Sequence, residues 1–92
     1  MIHKTPVKFH TNIDCCKPFM CNISGIHDFN PLVGDYVRVY HNSNFEVEMK
    51  VAERHWKFID GASPELHCWL NAPNAMSIPD FIISLRNRGF NT

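Results

Sequence analysis

The sequence predicts a small α+β fold, mostly β: about five bent antiparallel strands, in an open sheet or partial barrel, with one C-terminal helix packed on it. Three observations lead there. Most apolar residues recur with a period of two, the spacing of a half-buried strand. The inward parity changes within the longest such run, and a change of parity needs a bend. Helical spacing emerges after Ser77.

We expect a single domain over 1–92, with strands at about 5–13, 18–24, 35–41, 45–59 and 65–71 and a helix at about 78–88. In the first strand Val7, Phe9 and Ile13 alternate with Lys8, His10 and Asn12. The polar stretch from Asn12 to Lys17 interrupts this pattern, and Phe19, Cys21 and Ile23 resume it between Pro18 and Gly25. Residues 25–34 read as a loop. Tyr36-Val37-Arg38-Val39-Tyr40 follows, with the valines on one face and Tyr36, Arg38 and Tyr40 on the other. His41-Asn42-Ser43-Asn44 is turn chemistry and makes a hairpin with the next strand.

That next strand carries the bend. Phe45, Val47, Met49 and Val51 lie at odd positions, whereas Trp56 and Phe58 lie at even ones. A one-residue slip exchanges the two faces of a strand, so a β-bulge is expected near Ala52-Glu53-Arg54. After the turn Asp60-Gly61-Ala62-Ser63-Pro64, Leu66, Cys68 and Leu70 point inward, with His67 and Trp69 outward. In the helix, Ser77 caps, Asp80 completes a capping box and Pro79 occupies the first turn, where a missing N–H costs little. Ile78, Phe81, Ile82 and Leu85 form the apolar stripe. Arg86 and Arg88 suit the C-terminal dipole, and Gly89 with Phe90 fits a Schellman ending.

Composition narrows the function. Nine basic residues balance nine acidic ones in 92 residues, against the basic excess usual in proteins that grip a phosphate backbone. A chain this short builds a thin core with little room for a deep active site, and we expect no enzyme activity. Met1 to Pro6 lacks the apolar run of a signal peptide, and no stretch is long enough to span a membrane. A cytoplasmic protein is therefore expected. Its four cysteines read as free thiols, and the glycosylation pattern Asn22-Ile23-Ser24 carries no meaning there.

With the strands laid out, the chain resembles a loose group of short β-rich bacterial and phage proteins. The residues that carry the likeness are Pro31-x-Val33-Gly34-Asp35-x-Val37, which opens a strand, then Val51-x-x-Arg54-x-Trp56-x-Phe58, then Leu66 to Leu70. It covers about forty residues and leaves out the Cys15-Cys16 region and the helix. The resemblance implies a small sheet or barrel and no particular activity.

Candidate sites compete with plainer roles. A zinc site could draw on Cys15, Cys16, Cys21 and His27, or on His67 and Cys68, but these spacings are at or beyond the loose edge of paired ligands. Neighbours such as His67 and Cys68 also point to opposite faces of a strand. Cys21 and Cys68 read more simply as small core residues. Cys15 or Cys16, in an exposed connection, lacks any spacing that would pair it with a base. The six histidines are scattered and read as surface composition. No cofactor is expected. Tyr36, Arg38, Tyr40, Arg54 and Trp69, beside Lys50 and Lys57, would suit single-stranded nucleic acid on a small barrel, but Glu46, Glu48 and Glu53 share that surface. The favoured expectation is a non-catalytic protein-interaction module, an accessory or inhibitor protein of bacterial or phage origin. It would bind an unidentified protein or a second copy of itself through Tyr36, Arg38, Tyr40 and Trp69. Binding of single-stranded nucleic acid is the alternative, and a zinc-stabilised domain comes third.

Overall fold

The structure, a computed structural model, describes residues 4–42, 45–73 and 76–88, and their side chains except within 40–46. The chain runs β1 (Thr5–Thr11), a 3-10 turn (Asp14–Cys16), α1 (Lys17–Ile23), β2 (Gly25–His27), β3 (Tyr36–Asn42), β4 (Phe45–Lys57), β5 (Glu65–Asn71) and α2 (Ile78–Asn87). The strands form one sheet in the order β2-β1-β5-β4-β3, curled into a half-barrel with β2 and β3 as its edges. The expected small, mostly β, α+β fold is what forms. Among the described residues no helix is long and apolar enough to cross a membrane.

Three expectations about the strands need correction. Residues 17–23 form a helix, not a strand. Phe19, Cys21 and Ile23 do alternate, yet Cys16, Phe19, Met20 and Ile23 also stand at i, i+3, i+4 and i+7, and that spacing governs. Met20 is buried, whereas Cys21 is exposed. Pro18 sits in the first turn of α1, where its missing N–H leaves no orphan. The sheet is also mixed and not wholly antiparallel, because β1 runs parallel to β5, with Val7 opposite Leu66 and Thr11 opposite Leu70. Three residues read as loop, Gly25–His27, pair antiparallel with the start of β1.

The bend in β4 forms where the change of parity puts it. Val51 stands opposite Leu70 and Glu53 opposite Trp69, so Ala52 is the extra residue. Beyond it the faces have exchanged parity, and Trp56 shares the face of Leu66. The turns also follow local chemistry. Gly34 takes φ +98° as the third residue of a turn closed by Asp35 N–H donating to the Leu32 carbonyl at 3.0 Å. Gly61 takes φ +78° in the β4–β5 turn.

Val7, Phe9, Val47, Met49, Val51, Leu66, Cys68 and Leu70 line the concave face of the sheet. Against them pack Ile13, Cys16, Phe19 and Met20 from the N-terminal connection, with Phe81 and Leu85 from α2. Ser77 Oγ accepts the Asp80 N–H at 3.2 Å, the expected cap of α2. Ile78, assigned to the buried stripe, is instead half-exposed, because it precedes the turn that reaches the core. The Schellman ending at Gly89 and Phe90 and the turn residues Ser43 and Asn44 lie outside the described residues.

Ser24 fastens α1 to the sheet. Its hydroxyl donates to the Met20 carbonyl at 2.6 Å and accepts the Phe9 N–H at 2.9 Å. It thus covers a backbone donor on β1 beyond the end of β2.

Candidate interaction surface

Among the described side chains, most of the polar ones on the strands lie on the convex face of the half-barrel, and the two edges close its sides. On β5, His67 and Trp69 point outward, between Lys8 and His10 of β1 and His55 and Glu53 of β4. The His10 and His67 rings are parallel to within 4°, with His10 Nε2 only 2.8 Å from His67 Nδ1. Such a separation is shorter than the ~3.5 Å thickness of a stack, so the rings lie side by side in a hydrogen bond. His67 Nε2 donates to Glu65 Oε1 at 3.3 Å. His67 Nδ1 is then the acceptor in the neutral ring, and His10 Nε2–H donates to it. Glu65 also pairs with Lys8 at 3.5 Å. On its other side His10 stacks on Trp69, centroids 4.8 Å apart.

No local pattern hints at this array, since His10 and His67 are 57 residues apart and meet only through the parallel pairing. Burial, then His67 and Lys8, hold His10 below its ordinary pKa. The hydrogen bond from His67 leads the causes that hold Glu65 below the usual carboxylate range.

The four residues expected to bind a partner do not form one patch. Tyr36 and Arg38 are exposed on β3. Tyr40 follows on the same strand, its side chain outside the described residues. Trp69 lies two strands away on the central β5, 36% exposed and stacked on His10. Arg54, expected on the outer face, stands on the inner face opposite Cys68 with its guanidinium 5.8 Å over the Trp56 ring, because the bulge exchanges the faces there. Charges on the convex face are largely matched. Arg38 lies 3.8 Å from Glu48, Lys8 3.5 Å from Glu65, and Lys50 stands 5.8 Å over the Tyr36 ring. That matching weakens any cationic track for phosphates.

The thiols occupy unlike places. Cys16 is fully buried in the core, contrary to its expected place in an exposed connection, because the 3-10 turn directs it inward. Its Sγ is 4.0 Å from that of Cys15. Burial, with Cys15 beside it, pushes the Cys16 thiol up to about 12, and burial raises Cys68 as well. Thiols so protonated are poor nucleophiles and poor metal ligands. Cys21 faces solvent on α1 rather than the core, since Met20 takes the buried position beside it. Among the described residues no three or more His, Cys, Asp or Glu side chains are grouped to hold a metal ion.

The two edges of the sheet differ. β2 offers three residues; β3 offers seven, with no proline and no lysine to block pairing. Val51 N–H donates to the Asp35 carbonyl at 2.9 Å. In an antiparallel ladder this makes Val37↔Met49 and Val39↔Val47 the bonded pairs, and it turns the main-chain groups of Arg38 and Tyr40 away from β4. Beside this edge runs a groove of about 450 Å³, with Phe9, Ile23, Phe29, Val37 and Val39 in its walls. It is lined from both edges of the half-barrel, by His27 of β2 and by residues 36–39 of β3.

No family model, curated protein or solved structure matches the chain.

Proposed function

We propose that this protein is a non-catalytic protein-interaction module that takes an extended segment of a partner protein as an added strand on β3. The observation that carries the reading is the groove lined from both edges of the half-barrel. A strand laid along β3 would meet the outward main-chain groups of Arg38 and Tyr40, and its alternate side chains would enter the apolar groove. Main-chain hydrogen bonds then supply affinity and the groove supplies selectivity. Tyr36 and Arg38 flank such a strand on the convex side; Trp69 is left out of the contact. A cytoplasmic accessory or inhibitor protein of bacterial or phage origin fits the same reading.

Proline at position 38 tests it. The Arg38 N–H points away from β4, so Arg38→Pro removes an outward donor and spares the β3–β4 ladder. Extended peptides selected from a displayed random library against the wild-type protein should lose binding to Arg38→Pro. The thermal midpoint should fall by no more than about 4–8 °C, equivalent to about 1 kcal/mol in a domain of this size. Selected peptides that bind the proline variant as tightly as the wild type would overturn the proposal.

A further inference from the structure

We infer that the segment received by β3 is acidic and alternating, with apolar side chains facing the groove and a carboxylate opposite Arg38; the inference rests on the strand-addition reading above. Two observations lead to it. The first is charge. Among the described residues lining the groove, Arg38 is the one permanently charged side chain and no carboxylate is present. Its own partner, Glu48, stands off at 3.8 Å, and the Arg38 side chain is 56% exposed. An opposite charge directly across an antiparallel pair stabilises the pairing, and a like charge weakens it.

The second observation is the strand β3 already holds. On its covered edge Val37 faces Met49, Arg38 faces Glu48, Val39 faces Val47 and Tyr40 faces Glu46. The accepted sequence is thus apolar and acidic by turns, Phe-Glu-Val-Glu-Met over residues 45–49. The open edge presents the same alternation, valines toward the groove and Arg38 toward the convex face. A partner strand on that side meets the same cross-strand neighbours and is selected by the same chemistry. A second copy of β3 fits less well. Full overlap of two regular stretches Tyr36–Tyr40, which end at the register shift after Tyr40, sets Arg38 opposite Arg38 of the second copy.

The test uses the full chain and two fluorescein-labelled peptides with soluble flanks. One carries Phe-Glu-Val-Glu-Met; the other has lysine in place of both glutamates. By anisotropy the acidic peptide should bind wild-type protein about fivefold or more tighter than the lysine peptide, the scale of one opposed charge pair. The Arg38→Glu protein should reverse that order. Amide chemical shifts on binding should move along residues 36–40 and around Ile23 and Phe29. Equal binding of both peptides along β3, lost in Arg38→Pro, overturns the acidic preference and leaves strand addition standing. Binding that leaves the β3 amides unmoved overturns both. Self-association of the peptide-free protein through the β3 amides makes a second copy the occupant and likewise overturns the inference.

Discussion

At the scale of single residues, the side chains that matter most are those brought together from distant parts of the chain. His10 and His67 form a hydrogen-bonded imidazole pair held between Glu65 and Trp69. Nothing in the sequence marks it, because pairing between β1 and β5 is a property of the whole sheet. The outward placement of His67 and Trp69, by contrast, follows from simple alternation with Leu66, Cys68 and Leu70. The pair gives a pH dependence whose sign is fixed. His10 is held below its ordinary pKa, first by burial and then by His67 and Lys8. The unfolded chain therefore takes up a proton near pH 6.5 that the folded chain refuses until lower pH. Stability is complete above pH 6.5 and declines as pH falls from there toward the folded value. Denaturant midpoints measured between pH 7.5 and 5.5 should fall in wild type and fall less in His10→Gln. Equal slopes in the two proteins would show that His10 titrates normally. Glu65, whose pKa is depressed, acts in a separate window: its contribution is present above the ordinary carboxylate value and is lost only at more acid pH.

At the scale of elements, legibility depended on whether the signal was local. The cap at Ser77 and the bulge at Ala52 were both legible, one from capping residues and the other from the change of parity between Val51 and Trp56. The helix α1 was not, because its seven residues support two periods at once. Cys16 and Met20, left out of the alternating set, are the buried positions that identify the helix. The parallel pairing of β1 was illegible for another reason: strand neighbours far apart in sequence leave no local trace. The bulge yields a definite expectation. Removing Ala52 joins Val51, Glu53 and Arg54 into an unbroken in-out-in alternation, so every inward residue stays inward and the domain should still fold. What it loses is the bend that wraps the sheet around Phe81, Leu85 and Met20. The deletion should cost about 1–3 kcal/mol in chemical denaturation, the range of a disturbed core. Wild-type stability would show that the bend does nothing for packing, and an unfolded chain would show that the register is set elsewhere.

At the scale of the whole molecule, the half-barrel has two unlike edges. The β2 edge is short, and Ser24 covers the next backbone donor on β1. The β3 edge is long and borders the groove. With equal numbers of acidic and basic residues, long-range steering of a partner is weak, and recognition falls to short-range contacts: main-chain bonding, the groove and the charge of Arg38 beside it. Tyr36 and Arg38 were legible as outward-facing; their place at an edge was not, because nothing in the sequence orders the strands.

Strand addition requires that the Arg38 and Tyr40 amides of β3 point into an open edge. Residue-resolved hydrogen–deuterium exchange of the free protein tests it most directly. Exchange should alternate along the strand, with Val37 and Val39 protected by β4 and Arg38 and Tyr40 exchanging fast, then slowing when an extended peptide binds. Protection of all four amides in the free protein would mean that the edge is already covered, and would contradict it.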